Sequence, residues 1–198
     1  MTIRSGPTTK NSGSVVIGLM QIRIGPSAAN IAETEAVLET GDSLGAMAST
    51  KYMGNVDWWK LESGYTLQTD AFFPIREESA IECAFQEQSP YNIVLAHGLD
   101  PSGEYPNQWS GEIKLGARSA PEYLRCEAIR TYPDQTHKMY IIYPRSQITS
   151  SVEIEDSKEE GASTPITITA TPADSGATGG NVVWDNMPLG RIYWDPIT

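Results

Sequence analysis

The segment from residue 74 to 100 constrains the fold of this chain more than any other, because two different periodicities meet in it. In its first half, Ile81, Cys83 and Phe85 recur at every second position and alternate with small or polar side chains. A period of two is typical of a strand with one buried face and one wet face. The sequence therefore predicts a long acidic strand that turns its apolar side to a core.

The second half of this segment carries the signals that begin and end a short helix. Ser89 can accept a hydrogen bond from a free backbone N–H group, and Pro90 suits the first helical position because its missing N–H costs nothing there. Gly98 suits the left-handed residue that ends a helix. These signals predict a helix at about residues 89–98. One face of this helix is apolar, through Tyr91, Val94 and Leu95.

Most of the remaining chain has a β-like pattern. Strands are predicted at residues 15–24, 65–75, 112–117, 122–130, 139–143, 148–154 and 164–171. Residues 28–38 fit either a short helix or an edge strand, and Gly54-Asn55 is typical of a hairpin turn. Helical patterns are rare by comparison, so the sequence indicates a mainly β protein.

We therefore expect an antiparallel β-sandwich or barrel with one short α-helix and a long extended loop. No internal repeat and no linker divides the chain, so residues 1–198 are predicted to form a single domain. This domain would carry an N-terminal arm at residues 1–13, the extended loop at residues 41–64 and a C-terminal tail at residues 186–198.

Charge and hydropathy argue against several classes of protein. The chain has 25 acidic and 14 basic side chains and a formal net charge of −11, which disfavours binding to nucleic acid phosphates. It has no apolar run of about 18 residues, so we expect no membrane-spanning helix. Residues 1–13 are polar and lack the apolar core of a signal peptide, so we expect the protein to remain in the cytoplasm where it is made.

Residues that could support catalysis or bind a metal are sparse. His97 and His137 are the two histidines, and neither has a second ligand at a metal-binding spacing. The acidic pairs Glu77-Glu78 and Glu159-Glu160 could supply an acid and a base for glycoside hydrolysis, but solvated faces explain them more simply. We expect no metal, no cofactor and no enzymatic activity.

The two cysteines and one tryptophan pair allow more than one interpretation. Cys83 and Cys126 fall on the apolar phase of their strands, which predicts buried free thiols, with a disulfide within or between subunits as the alternative. Trp58 and Trp59 are adjacent, so on a strand they face opposite sides and cannot both enter one core. A subunit interface, one core position and a sugar-stacking platform all remain open for them.

Several blocks of the chain, in this order, resemble the phage tail tube protein family. The first of these blocks is the acidic strand that runs into a Ser-Pro-x-Asn helix at residues 89–92. The other similar blocks lie at residues 43–46, 61–67, 164–172 and 188–192. Together the blocks cover about half of the chain, and the tryptophan-rich stretches match no pattern of the family.

The resemblance implies a β-sandwich subunit that assembles into stacked hexameric rings, through which DNA leaves the capsid. Long strands from each subunit would join into a barrel around the lumen. We expect residues 65–73 and 77–87 to form the hairpin that lines it, with Glu78, Glu82 and Gln86, or the opposite phase, facing the channel. DNA would pass this acidic wall without specific binding.

The resemblance also suggests which residues join the rings. Small residues and aromatic side chains in the extended loop are candidates for ring stacking and subunit contact. These candidates are Leu44, Met47, Tyr52, Trp58 and Trp59. The expected partners are further copies of the chain, a tape-measure protein, a tail terminator, a baseplate and, in a contractile tail, a sheath. The protein would be a part of the virion tail that is assembled in the host cytoplasm.

Two other functions remain as alternatives. One is a different phage or contractile-injection structural β-protein, such as a capsid decoration subunit. The other is a carbohydrate-binding β-sandwich that uses its tryptophans to stack on sugars. A titration with oligosaccharides that changes the tryptophan fluorescence would favour the carbohydrate-binding function.

Overall fold

The fold is mainly β, as the sequence predicts. The computed structural model describes residues 18–63, 68–99, 112–113, 122–133, 135, 137–154 and 162–196. Within these residues a seven-stranded sheet has the order β1-β4-β5-β6-β3-β2, and β7 also pairs with β5. The strands are β1 (Gln21–Pro26), β2 (Met47–Ser63), β3 (Gln68–Phe85), β4 (Leu124–Thr131), β5 (His137–Ile148), β6 (Thr164–Ala170) and β7 (Arg191–Pro196). The described strand pairs are all antiparallel.

The helices of the described residues are short. They are α1 (Ser27–Asn30) and α2 (Pro90–Ala96), with 3-10 turns at Thr40–Asp42 and Val182–Trp184. None of these helices is long and apolar enough to cross a membrane.

The main core lies on one face of the sheet, where alternate residues of five strands, β1, β3, β4, β5 and β6, meet. Ile81, Cys83 and Phe85 of β3 are buried as their spacing predicts. The other strands contribute Ile22, Ile24, Cys126, Ala128, Ile166 and Ile168. Both cysteines are buried free thiols, and burial raises the pKa of Cys83 to about 12. Helix α2 covers part of this core with Leu95 and Ala96.

Helix α2 confirms the local signals of its sequence. The Ser89 hydroxyl accepts from the Asn92 backbone N–H at 3.2 Å, and Pro90 is the first helical residue. After the helix, Gly98 has a φ of +68° and its N–H donates to the Leu95 carbonyl at 2.7 Å. The Asn92 side chain donates to the carbonyl of Leu44 at 2.9 Å, which ties the helix to the chain just before β2.

The ambiguous segment at residues 28–38 is neither a full helix nor an edge strand. After α1 the chain continues as an irregular strap that two buried side chains of β4 hold. Arg125 donates to the carbonyls of Asn30, Glu33 and Glu35 at 2.5–2.8 Å. Glu127 accepts from the backbone N–H groups of Val37 and Leu38 and from Arg125 Nε. These side-chain contacts satisfy backbone groups that a helix or a ladder would otherwise pair.

The region between residues 41 and 85 differs most from the expectation. Residues 47–63 form a 17-residue strand rather than an extended loop, and residues 68–85 form one continuous 18-residue strand. Segments 68–73 and 77–85 therefore belong to the same strand and do not pair with each other. Gly54 and Asn55 lie within β2, opposite Ser79 and Glu78, so they make no turn.

The remaining strand predictions have mixed outcomes. Strands β4 and β6 lie where they were expected, and β5 extends the predicted 139–143 strand on both sides. Residues 149–154 are not a strand, because β5 ends at Ile148. Residues 191–196 of the predicted C-terminal tail join the sheet as β7, which pairs with the first half of β5. Residues 1–13, most of the predicted 112–117 strand and the Glu159-Glu160 pair lie outside the described residues.

Candidate assembly surface

The long antiparallel ladder of β2 and β3 has two halves with different surroundings. In the proximal half, residues 47–56 face residues 77–85, and β3 also pairs with β6 from Ala80 to Phe85. In the distal half, residues 57–63 face residues 68–76, and no third strand of the described chain pairs with them. We call residues 57–63 and 68–76 the distal hairpin. It extends beyond the layered part of the sheet as a two-stranded ribbon.

Ser79 is the buried residue of β3 that lies nearest to the distal hairpin, so the core begins there along this strand. The hydroxyl groups of Ser79 and Tyr143 lie 2.6 Å apart and are both buried. Burial raises the pKa of Tyr143, and the hydrogen bond to Ser79 opposes this rise only in part. The Tyr143 hydroxyl is therefore a neutral hydrogen-bonding group at physiological pH, and it marks the boundary between the two halves.

The distal hairpin exposes an unusual number of large apolar side chains. Between 38% and 69% of the surface of each is exposed. These side chains are Trp58, Trp59, Leu61, Phe72, Phe73 and Ile75. Single exposed apolar residues are ordinary on soluble proteins, but a contiguous group of this kind is typical of an interaction surface.

Both faces of the distal hairpin are apolar. Residues directly opposite each other on paired strands share a face. Trp59 lies opposite Phe73, with ring centroids 5.9 Å apart, so these two rings share one face. Trp58 lies opposite Pro74, and Phe72 lies opposite Lys60 on the other face. A ribbon with aromatic rings on both sides cannot bury them against one layer of its own chain.

The register of the ladder shifts where the distal hairpin begins. Asp57 faces Arg76, whereas the next residue, Trp58, faces Pro74, so Ile75 is the extra residue on β3. A β-bulge of this kind increases the local twist and re-aims the strands beyond it. Pro74 is tolerated here because one edge of β3 has no ladder partner in the described chain. The bulge therefore separates the layered half from the projecting half.

The opposite side of the proximal half is polar. The predicted lumen residues Glu78 and Glu82 lie on the face of β3 that points away from the core, as their spacing requires, whereas Gln86 follows the last residue of the strand. Lys51 pairs with Glu82 at 3.0 Å, and Arg76 pairs with Glu78. This face therefore carries both signs of charge. The acidic periodicity of β3 did not indicate the pairing with Lys51, because Lys51 lies on β2.

The predicted stacking residues separate into two groups. Leu44 is fully buried in the main core, and Met47 is partly buried against it. Tyr52, Trp58 and Trp59 are exposed and lie along β2. The exposed Phe72, Phe73 and Ile75 were not among the predicted contact residues, although the apolar run at residues 71–75 was a signal for them. Among the described residues, no group of three or more His, Cys, Asp or Glu side chains could hold a metal ion.

Comparison with known proteins gives similarity to two solved structures of gene transfer agents. No protein family model and no curated protein matches this chain. The first structure is the tail of an empty gene transfer agent particle, computed with helical refinement and C6 symmetry, at a TM-score of 0.45 and 12% identity. The second is the virion of a native gene transfer agent particle, at a TM-score of 0.42 and 12% identity. Each match covers 78% of this chain and 92% of the other.

Proposed function

We propose that this protein is a structural subunit of a phage-type tail tube and that it assembles into stacked hexameric rings around a conduit for DNA. The observation that carries the proposal is the distal hairpin, which projects from the sheet and is apolar on both faces. An isolated two-stranded hairpin is only marginally stable in water. A neighbouring copy that packs against it would bury the aromatic rings and complete its structure.

The edge of the sheet supports lateral assembly in the same way. Strand β2 is the terminal strand of the described sheet, and its 17 residues leave one edge unpaired. Long unpaired edges promote uncontrolled association unless another strand or layer covers them. In a closed ring each copy covers the edge of its neighbour, so no edge stays free. The strands of six copies would then form the continuous barrel around the lumen.

The polar face of β3 suits the wall of the channel. Glu78 and Glu82 lie on this face together with Thr167 and Thr169 of β6, and Gln86 continues their spacing just after the end of the strand. Six copies at −11 each carry −66 per ring, so the tube repels phosphate in general. Local pairing with Lys51 and Arg76 reduces the charge of the face itself without making it attractive to DNA.

The exposed residues of β2 would make the contacts between rings. Tyr52, Trp58 and Trp59 are available for a second copy, and we assign them to ring-to-ring or lateral contacts. Leu44 and Met47 instead fix the base of β2 to the core of their own subunit. In the virion tail the assembled tube would meet a tape-measure protein, a terminator, a baseplate and, in a contractile tail, a sheath.

Electron microscopy of the purified protein tests this proposal. We expect rings or hollow tubes after concentration. We expect the Trp59→Ser, Phe73→Ser double variant to remain monomeric and folded, with a melting temperature only a few degrees below that of the dilute wild-type chain. Val182→Ser is the matched control, because Val182 is an exposed apolar residue outside the hairpin. A double variant that forms the same rings as the wild-type chain would contradict the role of the hairpin. A wild-type chain that stays monomeric at every concentration would contradict the tube proposal.

A further inference from the structure

A cleft near the end of β6 is a second candidate site, separate from the distal hairpin. It has a volume of about 790 Å³. Residues that line it include Tyr123, Arg145, Thr171, Asp174 and Pro188. Clefts of roughly 300–1,000 Å³ accommodate ligands of several side chains in size. The cleft is therefore much larger than the space that one ion or one water molecule requires.

Arg145 is the unusual residue of this cleft because its positive charge is buried. Only 7% of its surface is exposed, and its guanidinium lies 3.6 Å from the centre of the Tyr123 ring. Its Nη1 donates to the carbonyl of Pro172 at 3.1 Å. The ion pairs between described residues are Lys51–Glu82, Arg76–Glu78 and Arg125–Glu127. Arg145 thus has no carboxylate partner in the part of the chain that the structure describes.

Arg125, the second buried arginine of the described strands, shows which contacts a buried guanidinium needs. Arg125 is completely buried, and it has the Glu127 carboxylate at 2.7 Å in addition to three backbone carbonyls. Charged groups are rarely buried without a partner, because desolvation of the charge is costly. Arg145 has the aromatic face and one carbonyl but lacks the anion. The guanidinium fork suits a planar carboxylate.

The wall of the cleft contains one further hydrogen-bonding group without a partner. The Thr171 hydroxyl is buried and makes no hydrogen bond within the described structure. A buried hydroxyl without a partner costs free energy, which an incoming acceptor would recover. Asp174 also lines the cleft, but its carboxylate forms no ion pair with Arg145.

We propose that this cleft binds an acidic side chain of a second copy of the chain. Arg145 is the cation that meets the carboxylate, Thr171 is an additional donor, and Tyr123 and Pro188 enclose the aliphatic part. The proposal rests on the self-assembly proposed above, since the occupant belongs to another subunit. The chain supplies carboxylates in large excess, with 25 acidic side chains and a net charge of −11. The size of the cleft fits a segment of chain better than a free inorganic ion.

The first experiment measures the chemistry of the cleft without assembly. N-acetyl-glutamate amide is titrated into the Trp59→Ser, Phe73→Ser variant, or into the wild-type chain if that is monomeric, and NMR follows the signals of Tyr123 and Thr171. The matched control ligand is N-acetyl-glutamine amide. We expect saturable shifts with the glutamate compound only, and their loss in Arg145→Gln. Equal binding of both compounds, unchanged binding in Arg145→Gln, or tighter binding of inorganic phosphate would each overturn the proposal.

The second experiment measures self-association of the full chain by analytical ultracentrifugation. We expect Arg145→Gln to weaken association by more than about tenfold, because the carboxylate of the neighbour loses its partner. Thr171→Val keeps the volume of the side chain and should weaken association less. Arg145→Lys keeps the positive charge at this position, so it should retain part of the self-association that Arg145→Gln loses.

These two experiments separate the cleft from the tube. An Arg145→Gln variant that folds and associates as the wild-type chain does would overturn the assignment of the occupant, and the hairpin proposal would stand. A wild-type chain that never associates would overturn the occupant and the tube together. Binding of the glutamate compound to that monomer would then assign a carboxylate site to the cleft alone.

Discussion

The proximal and distal halves of the β2–β3 ladder are made by the same two strands, but they differ in how far their apolar side chains are buried. In the proximal half, Ile81 and Phe85 are buried because β6 and the core complete the layer around them. In the distal half, Trp59 and Phe73 are at least as apolar, yet about half of each remains exposed. The two halves have similar apolar residue types, and they differ because β6 pairs only with the proximal half of β3. Within the described chain, the distal hairpin therefore has no third strand or layer to cover its apolar side chains.

This comparison predicts a large difference in stability between two phenylalanines of β3. Phe85→Ala should lower the free energy of unfolding by about 3–5 kcal/mol, because it leaves a cavity in the core. Phe73→Ala in the distal half should cost only about 1 kcal/mol, mostly from the lost ring contact with Trp59. Urea unfolding of the dilute monomer measures both values. Equal losses would show that the distal hairpin is packed within its own subunit.

Thiol chemistry distinguishes the two halves in the same strand. The pKa of Cys83 is raised to about 12, so the thiol stays protonated at pH 8 and becomes a thiolate only as the pH approaches that value. A cysteine introduced as Phe73→Cys would be exposed and keep an ordinary pKa near 8.5. We expect Cys83 to react with a disulfide reagent at pH 8 at least about a thousandfold more slowly. Similar rates in the native protein would contradict the burial of the proximal half.

The helix that covers the proximal half offers a smaller effect. Ser89→Ala removes the side-chain acceptor for the Asn92 N–H and should cost about 1 kcal/mol of stability. Ser89→Asp supplies another acceptor and should restore most of that loss. Thermal unfolding of the three proteins checks this order. A Ser89→Ala variant as stable as the wild-type chain would show that the cap does not support the helix.

Helix α2 illustrates what the sequence could predict. Its cap, its first proline and its terminal glycine act within ten residues, so local signals were sufficient. The long ladder was harder because Gly54-Asn55 and Pro74 both look like breaks in isolation. Whether a strand continues through such residues depends on the strands beside it. The ladder continues past both of these sites to the pair Ser63 and Gln68.

The buried polar residues of β4 and β5 show a second limit of the sequence. Arg125, Glu127 and Arg145 read as ordinary charged positions of amphipathic strands. Their burial results from the strap at residues 31–38 and the loop after β6, which are distant in sequence. The polar face of β3 was predictable from the alternation of its residues, whereas the aromatic distal hairpin required knowledge of where the pairing with β6 ends.

The smallest expected effect on stability belongs to the polar face of the proximal half. Exposed ion pairs contribute about 0.2–1 kcal/mol, so Glu78→Lys with Glu82→Lys should barely change the unfolding of the monomer. The same change would attract DNA phosphates to the wall of the tube and slow ejection from assembled particles. Lowering the salt concentration should strengthen this delay. Ejection at the wild-type rate would remove Glu78 and Glu82 from the lumen.

Hydrogen exchange followed by mass spectrometry tests the central claim most directly, because it reports on both halves of the ladder before and after assembly. In the monomer we predict slow exchange in the proximal half and fast exchange at residues 57–63 and 68–76. In the assembled particle the distal hairpin should become protected by at least about a hundredfold, while the proximal half changes little. A distal hairpin that is already protected in the monomer, or that stays unprotected after assembly, would contradict the account.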